Sequence, residues 1–174
     1  MANIKKILYR FWYSDGSVTM PAVFTLDKIL NGAPFEVTSD MPLMKGYKMS
    51  GSCDRGTEMQ DEAGQVIFIG DIVEVCVFFV SPENPDEDFH FRGLVTEENG
   101  IVNLRISHMM YKGKDWHKIS KTTPFFPFDK DCITDDGFCS ISLFHLCALS
   151  GNLGEYNPAN VTIIGNMMQN SELL

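Results

Sequence analysis

A mainly β fold, β-rich with one or two short helices, is predicted by three observations. Short apolar runs rich in β-branched and aromatic residues recur at strand length, as in residues 66–69 and 72–80. Turn chemistry separates such runs at Ser14-Asp15-Gly16-Ser17, at Asp61 to Gly64, at Gly70-Asp71 and at Asn99-Gly100. No internal repeat, low-complexity run or linker divides the 174 residues, so one domain spanning 1–174 is expected. Within it, residues 1–52 read as a hairpin plus short helix, 53–110 as a barrel core, and 111–174 as a loop-rich region with a short helix and a final strand. Hairpin-joined short strands suggest a partial SH3-like β-barrel with an added N-terminal hairpin.

Taken in order, residues 7–13 and 18–24 are strands of a hairpin. Thr25 is placed to N-cap a helix over residues 26–31, Gly32 to end it in the left-handed conformation, and Pro34 to reinforce the stop. Gly70-Asp71 launches a strand over residues 72–80, where Val75, Val77 and Phe79 alternate with Cys76, Phe78 and Val80, so both faces are expected to be buried. The acidic, proline-bearing residues 81–88 read as a loop, residues 91–97 as the returning strand, and Asn99-Gly100 as a tight hairpin into residues 101–110. Residues 140–149 fit strand alternation and helical spacing alike; helix is the reading adopted. Residues 161–165 form a last strand.

The formal charge of −9 at neutral pH weighs against nucleic acid as a partner, because affinity for a phosphate backbone comes chiefly from Lys and Arg. Lys112, Lys114, Lys118 and Lys121 do gather around Tyr111, Trp116 and His117 in the manner of a single-strand groove, but a solvated loop with one buried Trp is the simpler reading. The five cysteines, an odd number in mostly apolar surroundings, are expected to be reduced thiols in a cytosol. The apolar run after Lys5 and Lys6 is cut short by Arg10, so no signal peptide is expected, and the Asn160-Val161-Thr162 sequon is idle without a secretory route. The uncharged residues 137–154 approach membrane-span length, but Ser140, Ser142, His145, Ser150 and Asn152 interrupt them, and no membrane association is expected.

Cys132, Cys139, His145 and Cys147 are ligand types suited to zinc, but their spacing is wrong for a structural site, only His145 and Cys147 lying close together. Asp129, Asp131 and Asp135 resemble the opening of a calcium loop whose later positions fail, at Ile133, Thr134 and Ser140. Asp71 and Glu74 form a candidate carboxylate pair, although Asp71 is better read as a turn residue. With no nucleophile elbow, phosphate-binding loop or dinucleotide fingerprint, no enzyme activity, cofactor or metal is expected. Phe125, Phe126 and Phe128, set among Pro124 and Pro127, are read as capping a core edge, with a partner interface as the alternative if they are exposed together.

Three stretches resemble the YopX family of phage- and prophage-encoded proteins. They are Leu8-Tyr9-Arg10-Phe11-Trp12; residues 57–73, with Asp61, Gly64, Gly70 and Asp71 as its fixed points; and residues 161–174, with Gly165 and Asn166. Glu58, Ala63 and Ser171 depart from the family pattern. The resemblance implies a mostly β architecture with a partial barrel, a mobile-element origin and a bacterial cytoplasmic setting, and it brings no catalytic residue. The function expected is that of a non-enzymatic accessory protein that binds a protein partner or assembles with itself. Nucleic-acid association through an SH3-like barrel is the alternative, and an enzyme of unknown type comes third.

Overall fold

The computed structural model describes residues 7–32, 46–79, 87–149 and 160–174. Pro34, and most of the acidic loop expected over residues 81–88, lie outside them. Contacts gather into two compact units, Met1–Glu58 and Met59–Leu174.

In the first unit, β1 (Leu8–Ser14) pairs antiparallel with β2 (Thr19–Thr25), with Leu8 opposite Thr25 and Ser14 opposite Thr19. Asp15 ties the connecting turn. Its carboxylate accepts hydrogen bonds from the N–H groups of Ser17 and Val18 at 2.8 Å each, and Gly16 supplies the positive φ of 97°. Those donors hold the Asp15 carboxyl down at about 2. The helix α1 (Leu26–Leu30) follows Thr25, whose backbone is extended as a cap requires but whose hydroxyl makes no capping bond. Gly32 takes the left-handed position with φ 102°, its N–H donating to the Ile29 carbonyl.

The other edge of β1 is covered by β3 (Lys48–Gln60), a strand with no counterpart among those expected. Its Ser50, Gly51, Ser52, Asp54 and Arg55 carry no apolar alternation, because it is mostly exposed or half-buried. Phe11, Tyr13 and Phe24 form the core of this unit, with the Phe11 and Phe24 rings edge to face at 5.8 Å.

The second unit takes up the last two residues of β3 and continues through β4 (Val66–Phe68), β5 (Asp71–Phe79), β6 (Glu87–Glu98), β7 (Ile101–Tyr111), β8 (His117–Lys118), β9 (Cys139–Ser142), α2 (Leu143–Leu149) and β10 (Val161–Asn166). Its sheet has the order β10-β5-β6-β7-β8, and β9 also pairs with β7. All these pairings are antiparallel, and each strand from β5 to β7 lies beside its successor in sequence. Asn99 and Gly100 turn β6 into β7 with φ values of 53° and 78°, the two consecutive positive values that a type I′ hairpin requires. The mainly β class is met. Closure into a partial SH3-like barrel is a finer expectation that this strand order does not establish.

Several expectations are corrected. β5 is buried unevenly on its second face: Val73, Val75 and Val77 are fully buried on one side, whereas on the other Ile72 is buried but Glu74 and Cys76 are half-buried, and Val80 lies outside the described residues. Strand β6 begins at Glu87, because pairing with β5 carries it back past Phe91 to Phe89 and beyond. Residues 140–149 are not one helix. The serine alternation is real strand, β9, paired with β7 from Asn103 to Ile106, and the helical spacing of Leu143, Leu146 and Cys147 takes over immediately after it in α2. The expectation of reduced thiols throughout fails at Cys132 and Cys139, which form a disulfide with their Cα atoms 5.3 Å apart. Six residues lie between them in sequence, and a 3₁₀ turn (Lys130–Cys132) and β9 bring them together.

The core packs Val73, Val75 and Val77 of β5 against Phe89, Phe91 and Val95 of β6 and Leu104, Ile106 and Met109 of β7, with Leu143 and Leu146 of α2 in the same cluster. Each fully buried branched side chain contributes about 1.5–3 kcal/mol. Facing β7 from β6 is Gly93, opposite Ile106, at a bulge where Ser107 is the extra residue before the Arg92–His108 pair. A Cβ there would stand 2.8 Å from the Arg105 carbonyl carbon and 2.9 Å from the Ile106 Cα, both backbone atoms that cannot move aside cheaply. Gly93→Ala is therefore expected to cost about 1–3 kcal/mol of stability in urea unfolding, by the logic of overpacking; an unchanged midpoint would refute this close approach.

Candidate functional site

The residues singled out by motif fall into two structural groups. In the first unit, Arg10 and Trp12 both turn to Asp54, a residue the sequence reading missed. The Arg10 Nε and the Trp12 Nε1 donate to the same Asp54 carboxylate oxygen at 3.0 and 2.6 Å, and the guanidinium lies 4.9 Å from the centre of the indole. Trp12 is fully buried. A buried indole N–H needs an acceptor, and Asp54 supplies it while compensating the arginine charge. Its position in a polar strand gave no periodic signal.

In the second unit the other motif residues build turns. The Asp61 carboxylate accepts from the N–H groups of Ala63 and Gln65 at 3.0 and 2.8 Å, and Gly64 completes that turn with φ 78°. Asp71, 1% exposed, accepts from the Phe68 N–H at 2.7 Å. It pairs in register with Asn166, while the Met167 N–H donates to the Gly70 carbonyl at 2.9 Å. Asn166 in turn accepts from the N–H groups of Met168 and Gln169, and Gly165 leaves room for Asn170, whose Oδ1 would lie 2.8 Å from a Cβ at that position. These residues are brought together as scaffold. The Asp71–Glu74 pair does not form: Glu74 binds Arg92 at 2.7 Å instead.

Several of the metal candidates are otherwise engaged, while the His145 side chain is exposed. Cys132 and Cys139 are bonded to each other, and burial pushes the Cys147 thiol up to about 12. Asp129 caps a 3₁₀ turn by accepting from the Asp131 N–H at 3.0 Å, and Asp135 meets Lys121 at 3.3 Å. Another sulfur, Cys76, lies 3.7 Å from the His90 Nε2, but burial and the nearby Asp88 raise its pKa, which makes it a poor nucleophile. No helix among the described residues is long and apolar enough to cross a membrane.

What remains is a cavity of about 370 Å³ in the second unit, lined by the end of β7, the turn after it, β8 and residues 120–125. It unites two candidates that the sequence kept apart, the lysine-aromatic cluster and the phenylalanine trio. Tyr111 ends β7, and Lys112 and Gly113 reverse the chain with φ values of 52° and 63°, so that the Lys114 N–H returns to the Tyr111 carbonyl at 3.2 Å. His117 and Lys118 come back along β7 as β8, opposite Met109 and His108. Ser120 and Thr123 close the far wall, the Ser120 N–H donating to the Thr123 hydroxyl at 2.7 Å.

Phe125 then stands at the rim with φ 57°, in a turn after Pro124 where glycine is normally required. Its ring lies 5.1 Å from that of Tyr111, the planes 20° apart, and it is 67% exposed. The trio therefore divides. Phe126 is buried and Phe128 is half-buried against Phe91 at 5.5 Å, so Phe125 is the largely exposed member. Among the described residues the lining contains Lys114, His117 and Lys118 and no carboxylate. Trp116 is half-buried rather than buried, with the Arg92 guanidinium 4.4 Å from its ring centre.

Beside this cavity, His108 is biased towards its neutral form. Burial first, then the charges of Arg92 and Lys118, lower its pKa, and its Nδ1 lies 2.9 Å from the Ser107 hydroxyl. A histidine with a folded pKa below its unfolded value of about 6.5 contributes stability above that pH and loses it as pH falls through the folded pKa. Stability is thus expected to fall from pH 7 towards pH 5, and less steeply in His108→Gln than in the unaltered chain; parallel slopes in chemical denaturation would contradict the assignment.

No family model, curated protein or solved structure matches the chain.

Proposed function

We propose that this chain is a non-enzymatic binding module of phage or prophage origin that acts in the bacterial host cell, and that its binding site is the cavity beneath Phe125. The observation that carries the reading is the conformation of Phe125. A bulky side chain in left-handed backbone costs on the order of 1–3 kcal/mol, and such strain concentrates where a side chain must be aimed at a ligand. Here it aims a largely exposed ring over a preformed cavity. The phage setting rests on the family resemblance alone, since a bonded Cys132–Cys139 pair removes the argument from cysteine usage for a reducing compartment.

Two forms of the reading follow from the same surface. As an apolar anchor, Phe125 suits a protein partner or a second copy of the chain, and light scattering at high concentration decides the second-copy form: a strict monomer removes it. Nucleic-acid association, with or without an SH3-like barrel, is favoured by Lys114, His117 and Lys118 around the cavity.

The dye anilinonaphthalene sulfonate, small, aromatic and anionic, probes the cavity itself. The unaltered chain is expected to bind it with enhanced fluorescence, and Phe125→Gly to bind it several-fold more weakly while unfolding at an equal or higher urea midpoint, because glycine relieves the strained φ. Unchanged dye binding in the variant, or none in the unaltered chain, would refute the site.

A further inference from the structure

We infer that the cavity takes a nucleoside 5′-phosphate unit, as a free mononucleotide or as one residue of a single strand; this rests on the binding-module reading above. Size sets the first limit. A volume of about 370 Å³ lies near the lower end of the roughly 300–1,000 Å³ typical of small-molecule sites, which suits one base with its sugar and phosphate.

The stack sets the second. Tyr111 and Phe125 are already nearly parallel at 5.1 Å, and the exposure of Phe125 leaves ring surface on which a base extends the stack. Charge sets the third. Lys114 and His117 stand at the same cavity, and Lys118 contributes its stem, its ammonium leaning to 5.8 Å from the Phe138 ring centre. The hydroxyls of Ser120 and Thr122, 3.0 Å apart, offer donors and acceptors for a ribose.

The net charge of −9 does not oppose this ligand as it opposes a long polyanion. At physiological ionic strength charges are screened beyond about 8 Å, so a single phosphate responds to Lys114 beside it rather than to the whole chain. Screening likewise favours the mononucleotide over the strand.

The test is titration calorimetry with adenosine 5′-monophosphate, adenosine, inorganic phosphate and a short oligodeoxyadenylate. The nucleotide is expected to bind more tightly than adenosine or phosphate alone, about tenfold more weakly to Phe125→Gly, and several-fold more weakly to Lys114→Gln. Oligonucleotide binding that Phe125→Gly abolishes, with the mononucleotide silent, supports the inference and assigns the strand as the source. If neither binds while anilinonaphthalene sulfonate does, the nucleotide inference is overturned and the binding-module reading stands. If the dye fails as well, both are overturned.

Discussion

The hydrogen bond from the Phe68 N–H to the buried carboxylate of Asp71 fixes the point at which the second unit begins to build its sheet. Gly70, at φ 92°, turns the chain between them, and its two backbone groups are spent on two different neighbours: its N–H on the Val95 carbonyl of β6 and its carbonyl on the Met167 N–H after β10. One turn thus sets the register of β5 against strands on both sides. A carboxylate so little exposed must be met by donors, and the Phe68 N–H within the same turn is one of them, which couples turn to register.

From that register the cavity follows. β5 positions β6, β6 positions β7 through the Asn99-Gly100 hairpin and the Gly93 approach, and the end of β7 carries Tyr111, Lys112 and Gly113 into the turn that brings β8 back. Buried Val, Ile and Phe residues beneath the sheet supply the stability against which a local cost at Phe125 can be set. A well-packed scaffold that holds a strained aromatic residue at a cavity rim is how rigid folds present recognition groups.

Much of this order was legible in the sequence, where local chemistry had only one structural solution. Asn99-Gly100 announced a tight hairpin, Ser14 to Ser17 a turn, and Gly32 a helix end, and each is there. β3 was illegible because a mostly exposed strand of serines, glycine and charges has no periodicity to read, and Asp54 was hidden with it. The 140–149 segment misled because a strand and a helix abut with no break between their patterns. For the cavity, both halves were visible as composition: lysines around Tyr111 and Trp116, and phenylalanines beside proline. Their meeting depends on β8 pairing and on the positive φ of Phe125, and neither leaves a mark in residue type, since glycine rather than phenylalanine is what such a turn announces.

The central claim, that the Gly70-Asp71 turn sets the sheet on which the cavity stands, is tested most directly by amide hydrogen exchange of Asp71→Ala. The account predicts that protection falls together in β5, in β10 and in the β6 residues paired with them, as one cooperative unit. Loss confined to the Phe68 amide, with β5 and β10 protected as before, would contradict it.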